Sequence, residues 1–350
     1  MSENLQTKLD RIEKEFNLKK VGMITYDQID SIKLHKKPFR QRIPAGPLTG
    51  INLSFLPCID VQFLGTENIP KEGGKILVMN HSDAYNYLPL IRKLYQHDLY
   101  PAVWIKGKNY VNRFASWFFD FNGMIPVPPG TYVIEKAHAA KYGKGKLTKE
   151  SYALIKELFN EKKSDEIKKN HINDKKNLPA DVEFFAKHID DLSWYQSQLL
   201  QRMGKLTEDA LDLGLYILCF PEGTRNAQLG IGRTGIFEVA LHKNIPIIPV
   251  GCSNGNNVYP RGSLPFARGP NGFIPSFLPG VQKGKLIYRF GKEITTDDLL
   301  KECRIIEEYT PFSPESQKIH TQKFSRARDI VMQKLHDLLD SENQNKELYK

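Results

Sequence analysis

Cysteine is scarce in this chain of 350 residues: Cys58, Cys219, Cys252 and Cys303 stand far apart and form no CxxC pair. That excludes a disulfide scaffold or a zinc knuckle and leaves reduced thiols, mostly packed in the core. No stretch approaches the roughly eighteen consecutive apolar residues of a membrane-spanning helix. The opening, MSENLQTKLDRIEKEF, lacks the apolar centre of a secretory leader, so a cytoplasmic protein is expected. His81, His138, His171 and His188 lie in no ligand-like cluster, so no metal is expected. Internal repeats are missing too.

What is present is an ordinary globular composition, 40% hydrophobic and 26% charged. Lysine and arginine total 50 against 40 acids, a formal charge of +10. Such an excess suits an anionic partner: nucleic acid, an anionic lipid surface or a phosphorylated small molecule. Because the basic residues are interleaved with acids and no nucleic-acid module appears, nucleic acid is not the expected partner.

Residues 2–18 place Leu5, Leu9, Ile12 and Phe16 at helical spacing, predicting an amphipathic helix capped by Ser2. Glu3, Asp10, Glu13 and Glu15 dilute a membrane-binding reading, so this face is expected to pack on the body. Short β-rich runs follow at 60–65, 75–80, 100–105, 124–127, 215–220, 245–250 and 285–290. Helical stretches lie between them at 86–95, 111–120, 150–163, 180–203, 205–213 and 235–243. The alternation predicts an α/β fold, three αβα layers around a mixed, largely parallel central sheet. Residues 131–201, lysine-rich and carrying KKNHINDKKN, read as a charged helical insertion with a solvated face. A capped helix is expected over 295–309. Ser313, Pro314 and Glu315 then supply an N-cap, a first-turn proline and a favourable acid to a long amphipathic helix. The last ten residues are polar and expected to fray. The expected division is an N-terminal segment 1–59 packing on the core, an α/β domain 60–295 containing the insertion, and a helical segment 296–350.

Four segments carry chemistry. Val78-Met79-Asn80-His81-Ser82-Asp83-Ala84-Tyr85-Asn86 is a β run ending in a polar turn, which puts His81 at the ligand-facing end of a strand. Gly123-Met124-Ile125-Pro126-Val127 is a short apolar run. Cys219-Phe220-Pro221-Glu222-Gly223-Thr224-Arg225 is a buried strand broken by proline and glycine, its exposed N–H groups and Arg225 suited to an anion. Arg233-Thr234-Gly235 brings a second cation to a helix start. Ile245-Pro246-Ile247-Ile248-Pro249-Val250 is a strand whose prolines exclude a regular central ladder at those positions.

In this order the blocks resemble the glycerolipid acyltransferase superfamily, which includes the glycerol-3-phosphate and lysophosphatidate acyltransferases. The family pattern is a His-x4-Asp block, a Gly-x-Ile-Pro-Val-like block ending in arginine, a Phe-Pro-Glu-Gly-Thr-Arg block and a Val-Pro-Ile-Val-Pro-Val block; the third is complete here at 220–225. Two departures stand out. Asn86 occupies the aspartate position, and Pro128 and Pro129 follow Val127 where the family has a phosphate-binding arginine.

The resemblance implies acyl transfer from a thioester, on coenzyme A or acyl carrier protein, to a glycerolipid hydroxyl, a step of phospholipid biosynthesis. A thiolate leaves without a strong acid, so one base suffices and no nucleophilic serine or cysteine is needed. On that pattern His81 is the base, oriented by Asn86 or Asp83. Glu222, Arg225 and Arg233, with Lys106, bind the acceptor, and backbone N–H groups at Gly223 and Thr224 face the oxyanion. No resident cofactor is implied. An acyl groove is expected from Phe114, Trp117, Phe118 and Phe121, or from an irregular apolar loop with Phe266, Phe273 and Phe277, which is also the expected contact with an anionic membrane surface. A peripheral protein on the inner face of a membrane is expected. The rival reading is an acyltransferase-like protein that binds lipid or acyl carrier with its relay weakened at Asn86, or an enzyme using an acceptor without phosphate.

Overall fold

The computed structural model describes residues 4–42, 59–83, 86–110, 113–129, 132–143, 147–158, 179–255, 266–269, 272–275 and 284–349. A seven-stranded sheet organises them. Its strands are β1 (Ile59–Leu64), β2 (Ile76–Met79), β3 (Pro101–Lys106), β4 (Ile125–Val127), β5 (Tyr216–Cys219), β6 (Ile247–Ser253) and, after the hairpin β7 (Phe266–Gly269) and β8 (Gly272–Pro275), β9 (Gly284–Phe290). The order is β1-β9-β6-β2-β5-β3-β4. β1 with β9, β6 with β2, β2 with β5 and β5 with β3 run parallel, while β6 and β9 run antiparallel. The sheet is therefore mixed and mostly parallel, as the alternating pattern predicts. Every residue of β2, β5 and β6 is buried, which is why these strands read as continuous apolar runs.

Pro249 lies inside β6, a central strand, yet disrupts little. The β9 ladder reaches only Val250, opposite Phe290, and the Pro249 carbonyl accepts the Gly291 N–H at 2.9 Å beyond it. A strand residue points its N–H and C=O to the same side, so the missing N–H faces the place where regular pairing has ended.

The helices are α1 (Leu5–Glu15), α2 (Tyr26–Asp30), α3 (Tyr87–Gln96), α4 (Arg113–Phe121), α5 (Tyr132–Tyr142), α6 (Lys149–Leu158), α7 (Ala180–Asp212), α8 (Gly235–Lys243) and α9 (Pro314–Asp337). The chain divides into two compact units, one of residues 1–32, 105–119 and 126–203, the other of residues 33–104, 120–125 and 204–350. In the first, α1 packs on α7 as expected of its apolar face: Tyr195 donates to buried Glu13 at 2.7 Å, Arg11 pairs with Asp191 at 2.9 Å, and Phe16 meets Phe184 edge-on. Its N-cap is Asn4, whose side chain accepts the Gln6 N–H; Ser2 lies outside the described residues. The insertion is helical where described, and KKNHINDKKN with His171 lies outside those residues.

Three expectations are corrected. Ala180–Asp212 form one helix rather than two, because Gly204 makes room instead of a break: a Cβ there would lie 2.8 Å from the Phe312 ring. Residues 295–309 hold only a 3₁₀ turn at Lys301–Cys303, since the segment is drawn away to tertiary partners, Tyr309 Oη donating to the Glu238 carbonyl at 2.6 Å. The loop expected to be irregular contains the β7–β8 hairpin; its side chains, Phe277 included, and that of Phe114 lie outside the described residues.

Candidate active site

The site belongs to the second unit and begins where β2 ends. Asn80 leaves the strand with its side chain paired to both backbone groups of Cys252 in β6, donating at 2.9 Å and accepting at 2.7 Å. That anchor fixes the following residue, His81, which is half-buried at the strand's C-terminal end. The His81 N–H donates to Glu222 Oε1 at 2.8 Å, and its carbonyl accepts the Asn226 N–H at 2.9 Å. Its imidazole packs on Phe220 with ring centres 4.5 Å apart. The first and third sequence blocks are thus joined through the backbone of the histidine.

Glu222 holds this junction. Oε1 takes the His81 N–H; Oε2 takes the Asn226 amide and the Gly230 N–H, both at 2.8 Å. Burial pushes its carboxyl up from the ordinary 4.5, and the three hydrogen bonds pull it back. Both of its oxygens thus take part in shaping the loop. Gly223 turns the chain at φ +65°, and a Cβ there would meet the Arg233 guanidinium at 3.1 Å. Glycine thus serves two needs, left-handed backbone and close approach of a cation. Its own N–H donates to the Phe220 carbonyl at 3.0 Å. Thr224, Arg225 and Arg233 are exposed and form the polar rim of this loop. Arg233 stands two residues before the first residue of α8, its N–H donating to the Pro221 carbonyl at 2.9 Å.

Asn86, fully buried, donates to the Asn80 carbonyl at 3.0 Å and to Ser82 Oγ at 3.3 Å, while its own carbonyl accepts from Tyr288 at 2.7 Å. This closes the turn after His81. The amide nitrogen is spent on backbone and hydroxyl, while its Oδ1 is buried and accepts no hydrogen bond among the described residues. Asp83, also buried, accepts from Ser82 Oγ at 3.1 Å, and Gly255 approaches so closely that a Cβ there would lie 2.2 Å from the carboxylate. Lys106, exposed at the end of β3, belongs to the other unit. Of the second block, Pro128 and Pro129 offer their carbonyls to Gln196 at 3.4 and 3.2 Å.

Cys219 and Cys252 are buried free thiols, and Cys58 lies outside the described residues. Burial pushes both thiols well up, so neither presents a thiolate. The described residues hold no group of three or more histidine, cysteine, aspartate or glutamate side chains placed for a metal, and no helix long and apolar enough to cross a membrane.

Sequence reasoning missed Asn80, Asn226, Asn343 and Tyr349. Asn80 stands inside the first block without an assigned role, and Asn226 adjoins the third. The last two lie more than ninety residues beyond the last block, and no local pattern marks them.

Residues 193–253 match the family model described as Acyltransferase. A 1-acyl-sn-glycerol-3-phosphate acyltransferase of Haemophilus influenzae is 43% identical over 63 residues, 17% of this chain and 23% of that relative. The chain thus spans about a quarter of that relative's length. Among solved structures, the 1-acyl-sn-glycerophosphate acyltransferase PlsC of Thermotoga maritima aligns with TM-score 0.35 and 13% identity, over 82% of this chain and 78% of that one. The two sequence matches support placement in the glycerolipid acyltransferase superfamily.

Proposed function

We propose that this protein is a glycerolipid acyltransferase that moves a fatty acyl group from a thioester, on coenzyme A or acyl carrier protein, to a hydroxyl of a glycerolipid-type acceptor such as glycerol 3-phosphate or lysophosphatidate. The observation that carries the reading is the union of His81 with the Glu222 loop, beside the exposed Arg225 and Arg233. His81 takes the acceptor's hydroxyl proton as that oxygen attacks the thioester carbonyl. The tetrahedral intermediate collapses with loss of the thiolate: a C–O bond forms, the C–S bond breaks, and the imidazolium returns the proton to the sulfur. Arg225 and Arg233 hold the acceptor's phosphate through charge-assisted hydrogen bonds. No resident cofactor enters these steps.

The test is thiol release from a panel of acyl thioesters with phosphorylated acceptors. His81→Ala is expected to lower turnover by about 10²- to 10⁴-fold. Equal release from both proteins would remove the base assignment.

Peripheral contact with an anionic membrane surface, on the inner face, belongs to the same proposal. The +10 charge supports it, as does Ile231, 62% exposed and two residues from Arg233. Flotation with anionic but not neutral liposomes is expected; binding indifferent to lipid charge refutes this part.

Asn86, an uncharged residue where the family has a carboxylate, favours a second reading: a protein that binds acyl thioester or lipid without turning it over. Retained acyl-thioester binding with no thiol release from wild type, whatever the acceptor, would decide for it.

A further inference from the structure

We propose that the C-terminal tail, residues 338–349, is a positioning element of this site, acting through Asn343 and Tyr349. The proposal rests on the reading of the His81–Glu222 loop as the catalytic centre.

The tail's polar sequence predicts fraying, but the structure folds it back. Leu338, which follows α9, lies over β6, so that a Cβ on Gly251 would stand 2.8 Å from its Cβ. Asp340 pairs with Arg289 at 2.8 Å and donates its N–H to Ser253 Oγ at 2.9 Å. Asn343 is then buried among exposed neighbours, 2% accessible. It donates to the Ala227 carbonyl at 2.8 Å, its own carbonyl accepts the Leu229 N–H at 2.9 Å, and its Oδ1 accepts the Asn254 N–H at 3.0 Å. One residue thus ties the loop after Arg225 to the end of β6. Tyr349 completes the attachment: its hydroxyl donates to the Gly230 carbonyl at 2.8 Å, with its ring against His336.

Gly230 is the link to the chemistry, because its N–H is one of the three donors on Glu222 and Glu222 accepts the His81 N–H. Residues 220–234 contain no helix or strand, so their shape depends on side-chain and backbone bonds from outside. A hydrogen-bonded path therefore runs from Tyr349 through Gly230 and Glu222 to the histidine. Asn343 and Tyr349 are positioning residues, since they act through others and touch no reacting atom.

The test compares wild type, Tyr349→Phe, Asn343→Ala and a chain ending at residue 344 in two measurements: amide hydrogen exchange, and steady-state thiol release. Tyr349→Phe removes a single hydroxyl and keeps the ring. It is expected to speed exchange at the Gly230 and His81 amides about fivefold to tenfold, with β5 amides unchanged, since one modest hydrogen bond is lost. Turnover is expected to fall by a similar factor, with KM for the thioester unchanged. Asn343→Ala and the truncation are expected to do the same more strongly. Exchange confined to wild-type rates at Gly230 and His81 in all three variants would overturn the proposal. So would a uniform rise across the sheet with a lowered melting temperature, which marks general destabilisation. The exchange readout needs no activity: if wild type releases no thiol, the acyl-transfer reading fails while exchange still decides the tail.

Discussion

The Glu222 carboxylate accepts the backbone N–H of His81 across 2.8 Å. The contact joins residues 141 positions apart in sequence. It explains why two blocks that look independent along the chain must occur together. A carboxylate accepts and never donates, so one buried group can gather three N–H donors from three places: His81, Asn226 and Gly230.

Replacing that carboxylate exposes its task. In Glu222→Gln one terminal atom becomes a donor, and whichever way the amide turns, at least one N–H loses its acceptor. A buried donor left unsatisfied costs about 1–3 kcal/mol. The expected outcome is a lower urea midpoint together with turnover reduced more than KM for the acceptor is raised; an effect on acceptor KM alone would show that Glu222 binds substrate.

Asn86→Asp restores the residue of the family pattern, yet a gain is not expected. The Asn86 amide donates to the Asn80 carbonyl at 3.0 Å, and a carboxylate oxygen in its place would face that carbonyl as one acceptor against another. The variant is expected to lose about 1–3 kcal/mol of stability by chemical denaturation and to turn over thioester no faster than wild type. A large rise in turnover would show instead that the missing charge limits the chemistry.

The exposed arginines report on the acceptor. Hydrogen bonds to a charged group contribute about 1.5–3 kcal/mol, or roughly ten- to a hundredfold in affinity. Arg233→Ala and Arg225→Ala are expected to raise KM for phosphorylated acceptors by that range and to leave uncharged alcohols unaffected. Equal effects on both acceptor types would exclude phosphate as their ligand.

Glu238 gives a pH signature. It is 1% exposed, and burial pushes its carboxyl from the ordinary 4.5 up to about 7, against hydrogen bonds from the Phe312 N–H and from the Gln317 and Thr234 side chains. The folded state therefore holds this proton more tightly than the unfolded chain. Its contribution is fully present below pH 4.5 and declines as pH rises to about 7. At about 1.4 kcal/mol per pH unit the decline is on the order of 3 kcal/mol. Urea unfolding across this window is expected to show the stability difference between wild type and Glu238→Gln shifting by that amount toward the variant; a constant difference would mean that Glu238 titrates normally.

The seven strands of the sheet were legible to within a few residues, β2, β5 and β6 because they are buried on both faces and so appear as apolar runs, whereas the β7–β8 hairpin was not. His81 and the Glu222 loop were legible as blocks, but the division of labour within them was not. Glu222 and Asn86 carry the side chains a substrate site would use, and only the structure reveals that each also holds the backbone. Gly204 misled because a glycine in a helix reads as a break unless the Phe312 ring against it is seen. The tail misled for the opposite reason: Asn343 is polar, which predicts solvent, yet three backbone groups of distant loops satisfy it.

The sheet order has a further consequence for how the molecule comes into being. β2 precedes both of its neighbours in the chain, pairing Ile76 with Ile217 of β5 and with Ile247 of β6. During synthesis β2, the strand that leads into His81, emerges before its neighbours and waits, apolar on both faces and with both ladders open, for more than a hundred residues. Pairings of such long sequence separation form slowly and leave strand edges open to aggregation meanwhile. Asn343 and Tyr349 follow all the strands of the sheet in sequence, so the contacts that set the shape of the loop around His81 form only after the strands have emerged.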